Sequence, residues 1–181
     1  KHRREAGRRA PAIFEVRDLH PDSLIDLGLM KGRLTQKVFY KLEWIGYHRS
    51  RWINVLTPAF RTWLIERKGI PSSRMSMIPN AADIDLMRPG PRDNAVRTEL
   101  GLEGKFVVSY FGAHGLANGL GQLLDVAALV RQEMPDVRIM LIGAGPEKER
   151  LIERARREGL DNVLFIDPIA KERVGDYINA S

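Results

Sequence analysis

Residues 106–146 constrain this chain more than any other stretch. An apolar run, Phe106-Val107-Val108-Ser109-Tyr110-Phe111, leads into a glycine-broken loop, Gly112-Ala113-His114-Gly115-Leu116-Ala117-Asn118-Gly119. A helical pattern follows and stops at Pro135. A second apolar run over 137–142 then ends in Gly143-Ala144-Gly145-Pro146. Two strand-length runs joined through a helix read as a β–α–β unit, whose strands are parallel. Ligands of open parallel sheets bind at the carboxyl ends of the strands, where both glycine turns fall. Helix N-termini at that edge offer unbonded N–H groups and a positive dipole end, which suit a phosphate. The expectation is a phosphate-bearing ligand held over residues 112–119 and 143–146. Glycines after strands also serve simply as turn formers. The spacing is neither G-x-G-x-x-G nor G-x-x-x-x-G-K-[ST].

The same alternation runs through the rest of the chain. Residues 12–16 read as a strand ending in the polar cluster Arg17-Asp18-Leu19-His20-Pro21. Residues 32–50 read as a helix with Leu34, Val38, Leu42 and Ile45 as its apolar stripe; Arg33, Lys37, Lys41 and Trp44 run beside it. Strands follow over 52–56 and 74–78. Between them lies a helix with Thr57 as N-cap, Pro58 at its first position and Gly69 at its end. Residues 1–9 read as the end of a helix.

Residues 79–91 hold three prolines and a glycine without clean periodicity, which marks a linker over 80–91. Beyond it come a short helix over 93–100, the central unit, a helix opened by Pro146 and closed by Gly159, a strand over 162–166, and a last helix reaching the chain's final residue. The expected organisation is therefore 1–79, the linker 80–91, and 92–181. The fold class is α/β, with two Rossmann-like parallel-sheet domains, both incomplete in this chain.

Charge separates the halves. Residues 1–80 carry 16 Lys+Arg against 7 Asp+Glu, and residues 81–181 carry 13 against 16. A basic first half suits an anionic lipid surface, a nucleic acid or a phosphorylated substrate. No helix-turn-helix, RNA-recognition or zinc signature accompanies it. The chain has no cysteine, which excludes disulfides, thiolate metal sites and thiol nucleophiles. Its apolar runs fall far short of the ~20 residues of a membrane span.

Six segments in order carry a family resemblance: Phe14-Glu15-Val16-Arg17-Asp18-Leu19-His20-Pro21, Leu56-Thr57-Pro58, Ile78-Pro79-Asn80-Ala81-Ala82-Asp83, Tyr110-Phe111-Gly112-Ala113-His114-Gly115, Leu141-Ile142-Gly143-Ala144-Gly145-Pro146 and Gly159-Leu160-Asp161-Asn162-Val163-Leu164-Phe165. The chain resembles the family 4 glycosyltransferases of the GT-B fold, in particular the bacterial branch that builds polysaccharides and lipopolysaccharide O-units. The resemblance implies two Rossmann-like domains, a nucleotide-diphosphate-sugar donor on the second, a saccharide acceptor on the first, and retaining transfer with no metal and no cofactor. It implies that Gly112, His114, Gly115 and Asn118 lie against the diphosphate. Gly143 and Gly145 would shape the donor wall, and Ile169 would border the base. Arg17 and Asp18 become the catalytic candidates, with His20 on the acceptor side.

In this branch the acceptor is commonly polyprenyl-linked. The resemblance therefore implies a cytoplasmic protein in peripheral contact with the inner face of the membrane, through Arg33, Lys37, Lys41 and Trp44. No nucleic-acid partner is expected. The chain departs from the family where an Arg and a Lys usually neutralise the diphosphate; Ala113 and Asn118 stand there. Two alternatives stay open: a GT-B nucleotide-sugar epimerase, and an inactive nucleotide-sugar-binding module. The carboxylate motif that grips the donor sugar in the family is not among these residues, so the 181 residues alone are expected not to transfer sugar.

Overall fold

A computed structural model describes residues 10–181. The helix end read over Lys1–Arg9 lies outside the described residues. The chain divides into two units, Lys1–Ala81 and Ala82–Ser181, each built on a three-stranded, wholly parallel sheet. The expectation of two Rossmann-like α/β halves holds.

In the first unit, β1 (Ile13–Val16) pairs with β2 (Trp52–Val55), and β2 with β3 (Met75–Met77), in the order β1-β2-β3. The short α1 (Asp22–Asp26) and the long α2 (Arg33–Arg49) connect β1 to β2; α3 (Pro58–Lys68) connects β2 to β3. Thr57 caps α3 by accepting from the Phe60 N–H at 3.1 Å, and Gly69 ends it in the left-handed conformation. Val16, Ile53, Val55, Leu64, Ile70, Met75 and Tyr47 make the core.

The packing of α2 corrects the sequence reading. Leu34, Val38, Leu42 and Ile45 do not face the sheet; all are exposed, Leu34 by 77%. The helix packs instead through Gly46 and Tyr47. A Cβ on Gly46 would lie 2.9 Å from Phe14 Cζ, so its absence lets the helix settle onto the Phe14 ring. Tyr47 meets that ring edge-on at 5.5 Å. The reading scored apolar periodicity, and a glycine contact has none.

In the second unit, α4 (Ala95–Leu100) precedes β4 (Phe106–Phe111), α5 (Gly121–Glu133), β5 (Val137–Ile142), α6 (Lys148–Arg157), β6 (Val163–Ile166) and α7 (Val174–Asn179). The central strand β5 is buried on both faces. Ile139 and Leu141 pack with Leu120, Leu124, Ala127, Leu151, Ala155 and Leu160. Met140 and Ile142 pack with Val96, Leu102, Val107, Tyr177 and Ala180. Burial on both faces is why the run reads apolar without alternation. The Arg97 guanidinium, 2% exposed, donates to the carbonyls of Ala180 at 2.7 Å, Lys105 at 2.6 Å and Leu102, and so ties α4 to the end of α7. Two helix ends differ from the reading. The final helix closes at Asn179, and α6 starts at Lys148, two residues after Pro146, following a turn in which the Lys148 N–H donates to the Gly145 carbonyl at 3.1 Å.

Candidate functional site

The two glycine turns at the carboxyl edge of the second sheet are hydrogen-bonded to each other. The Gly112 N–H donates to the Ile142 carbonyl at 3.0 Å, and the His114 N–H to the Ala144 carbonyl at 2.9 Å. In return, the Glu147 N–H donates to the His114 carbonyl at 3.0 Å. The strand ladder therefore continues past β4 and β5 into the loops. Close approach dictates the glycines of the second turn. Gly143 has φ of 145°, and a Cβ there would sit 2.0 Å from the Gly112 carbonyl oxygen. At Gly145 a Cβ would lie 2.4 Å from the His114 carbonyl oxygen. The first turn is less demanding. An added Cβ at Gly112 meets a side chain, Tyr110, at 2.8 Å from its hydroxyl and 3.1 Å from Cζ, and at Gly115 only Asn118 Oδ1 at 3.2 Å.

After this loop, Asn118 sits exposed on the single turn Leu116–Asn118, and left-handed Gly119 (φ 60°) redirects the chain into α5. The N-terminus of α5 has no side-chain cap and no acidic residue in its first turn. The Gln122 and Leu123 N–H groups of its first turn donate to the Gly119 and Leu120 carbonyls, each at 3.0 Å, so what this terminus offers an anion is the positive end of its dipole. Ile169 is half-buried just beyond β6, against the core of the opposite face.

The His114 side chain, expected against the diphosphate, is turned into the protein instead. Its ring is fully buried, 6.2 Å from the Tyr110 ring and 6.5 Å from that of Phe165. Neither ring nitrogen has a protein partner. Burial, and after it the charge of Lys148, holds its pKa below the ordinary imidazole value. It therefore stays neutral near pH 7, and its backbone rather than its ring joins the two turns.

Sequence reasoning missed Lys148. Its ammonium, on a residue only 9% exposed, donates to the carbonyls of Gly143 at 3.0 Å and Ile166 at 3.1 Å and to Asp167 Oδ1 at 2.6 Å. That hydrogen bond and charge hold Asp167 below the usual carboxylate range. One signal was available: a lysine in the first turn of a helix opposes the macrodipole and needs a compensating partner.

In the first unit, Arg17 and Asp18 stand exposed at the carboxyl end of β1, with Arg17 Nη2 donating to Asn80 Oδ1 at 3.4 Å. His20 Nδ1 and Ser23 Oγ are in hydrogen-bonding contact at 2.8 Å, which fixes the turn into α1. Arg17, Asp18 and His20 border one cavity of about 420 Å³, whose wall is Phe14, Phe39, Leu42, Glu43 and Tyr47. Nothing in the sequence placed these α2 residues beside the Arg17–Asp18 turn. Arg33, Lys37, Lys41 and Trp44 are all exposed on α2, with the Trp44 ring stacked on His48 at 4.4 Å.

Comparisons with known proteins bear on both units. Residues 93–181 match the model of the family described as glycosyl transferases group 1. A protein of Rhodococcus erythropolis named D-inositol 3-phosphate glycosyltransferase is 36% identical over 128 residues, covering 65% of this chain and 28% of that protein. A protein of Gordonia bronchialis with the same name is 33% identical over 129 residues, again covering 65% and 28%. The chain thus spans less than a third of the length of the curated relatives it matches. Among solved structures, Anabaena HepE in complex with UDP-glucose superposes with a TM-score of 0.68 at 24% identity, over 90% of this chain and 43% of that one. WaaG, described as a glycosyltransferase involved in lipopolysaccharide biosynthesis, does so at 0.69 and 13%, over 90% and 48%. These two likenesses establish a shared fold across both units.

Proposed function

We propose that the protein, whose residues 93–181 match the glycosyl transferases group 1 family, transfers a sugar from a nucleotide-diphosphate donor to a saccharide acceptor, with retention and without a metal. The observation that carries the reading is the pair of turns at 112–115 and 143–147, locked together beside the uncapped N-terminus of α5. That edge presents the positive dipole end of α5 to a diphosphate while the glycines of the second turn keep the backbone close. UDP-glucose in the HepE complex supports a nucleotide-sugar donor, and the name of the curated relatives supports glycosyl transfer.

The roles follow from position. Gly112, Gly115 and Asn118 border the diphosphate, and Gly143 and Gly145 shape the wall beside it. Ile169 lies against the base. His114 supports the loop from beneath through its buried ring and its two backbone bonds. Asp18 orients the reacting hydroxyl, and Arg17 stabilises charge on the leaving phosphate. His20 holds the turn that carries them.

Membrane contact is a further element of the proposal. No helix among the described residues is long and apolar enough to cross a membrane. Helix α2, however, exposes Leu34, Val38, Trp44 and Ile45 beside Arg33, Lys37 and Lys41. An apolar face flanked by cations suits an anionic bilayer surface, where a lipid-linked acceptor would be presented.

A second reading is a module that binds a nucleotide-sugar without turning it over. Ala113 and Asn118 favour it, since they leave the first loop without a cation. A thermal-shift panel of UDP-, GDP- and ADP-sugars on the full-length protein, followed by assay of nucleotide release, separates the readings. Stabilisation by one nucleotide class with turnover supports the transferase, and stabilisation without turnover supports the module. No stabilisation by any donor overturns both.

A further inference from the structure

Lys148 occupies a position that its helix does not favour. It stands in the first turn of α6, where a cation opposes the positive end of the helix dipole. It is also buried, and a buried ammonium persists only where acceptors replace its water. Three do so: the Gly143 carbonyl at 3.0 Å, the Ile166 carbonyl at 3.1 Å and Asp167 Oδ1 at 2.6 Å. An ammonium has three N–H donors, and these acceptors take all of them. None is left to reach a phosphate, so Lys148 does not stand in for the cations absent at Ala113 and Asn118. What its three bonds do is join the turn after β5, the last residue of β6 and the first residue of the loop beyond it.

That loop has little else to hold it. Residues 167–170 have no regular structure, and among the described residues none of their backbone N–H groups donates to a backbone carbonyl. Ile169 packs against the core of the opposite face, and Lys148 grips the loop at its root. The apolar contact is non-directional, whereas the hydrogen bonds are directional. The Lys148 bonds therefore fix the angle at which the loop leaves β6. Because the Gly143 carbonyl is one of the three acceptors, the same ammonium sets the spacing between this loop and the locked turns. The N–H groups of Asp167, Ile169 and Ala170 remain as donors for the polar edge of a ligand.

We infer that Lys148 is a positioning residue for nucleobase recognition. It touches no part of the donor. It holds the 167–170 loop at the one distance from the 143–147 turn at which a particular base meets the loop while the diphosphate lies at α5. The inference rests on the nucleotide-sugar reading.

Calorimetric titration of the full-length protein with UDP, GDP and ADP tests it, because these ligands share a ribose and a diphosphate and differ in the base. Wild type should prefer one of them by about tenfold or more, the range of a well-placed hydrogen bond. Lys148→Met keeps the reach of the side chain and removes its donors. It should narrow that preference to about threefold or less, mainly by weakening the preferred ligand. Asp167→Ala, at an exposed side chain, removes one of the three bonds and should narrow the preference in the same direction; it decides the matter should Lys148→Met fail to fold. An unchanged ratio, with the affinities either intact or lowered in proportion, is what a merely structural role gives, and it overturns the inference. Wild type binding all three alike overturns it too, and leaves the diphosphate site standing. Wild type binding none of them overturns the nucleotide-sugar reading, and the inference with it.

Discussion

Replacing Gly143 with alanine tests whether the two turns are locked as described. Gly143 has φ of 145°, a region essentially closed to residues with a Cβ. Holding one there costs roughly 1–3 kcal/mol. The added carbon would also lie 2.0 Å from the Gly112 carbonyl oxygen and 3.0 Å from its carbon, and backbone cannot rotate aside. Relief requires the turns to part. That breaks the bonds from His114 N–H to Ala144 and from Glu147 N–H to His114, each worth about 1 kcal/mol net. The expected loss is about 3–5 kcal/mol. In a domain of this unit's size, each kcal/mol moves Tm by roughly 4–8 °C, so the transition should fall by about 15 °C or more. Scanning calorimetry of the variant beside wild type measures it. Gly115→Ala is the control: its φ is −102°, and its only close neighbour is the movable Asn118 side chain, so its Tm should stay near wild type. A Gly143→Ala protein melting within a few degrees of wild type would refute the argument for the locked turns.

Gly115→Val should leave the melt unchanged and weaken nucleotide-sugar binding, since the larger side chain intrudes where the diphosphate approaches; unaltered affinity in calorimetry removes the loop from the site. Asp18→Asn should reduce turnover by roughly 10²-fold or more, the scale of acid–base assistance, with donor affinity little changed; loss of donor affinity alone would move Asp18 out of the catalytic role. The depressed pKa of His114 means that the unfolded chain binds its proton first as pH falls. Stability should therefore decline below about pH 6.5 and level off beneath the lower folded-state value. Denaturation midpoints against pH should flatten in His114→Phe, and an unchanged slope would show that another group governs it. Charge reversal of Arg33, Lys37 and Lys41 together should abolish sedimentation with anionic vesicles, each cation contributing about 1 kcal/mol; equal binding to neutral vesicles would contradict the electrostatic part.

The architecture was legible because its signals are local. The Thr57-Pro58 start, the Gly69 stop and the apolar run of β5, interrupted only by Arg138, each follow from one stretch of chain, and each appears as read. The misreadings arose where a partner distant in sequence decides. The outward face of α2 was taken for its packing face because Gly46 against Phe14 leaves no trace in hydrophobic periodicity. The candidate residues at each sheet edge were visible as residue types after strands. Their surroundings were not: burial of the His114 ring, the three acceptors of Lys148, and the cavity that Glu43 and Phe39 share with Arg17 and Asp18 depend on side chains brought together from separate elements.

The interlocked turns also bear on how this edge can move. Backbone hydrogen bonds that cross from one loop to the other make residues 112–114 and 144–147 a single cooperative patch, anchored at its base by the Gly143 N–H bond to the Ile166 carbonyl and by the Lys148 ammonium. Neither turn can swing out alone, because the donors of one are the acceptors of the other. The amides of His114 and Glu147 should then exchange with solvent at a common rate set by one opening event. Adaptation to donors of different size is thereby displaced to the neighbouring Leu116–Asn118 turn, whose side chains cross no such seam.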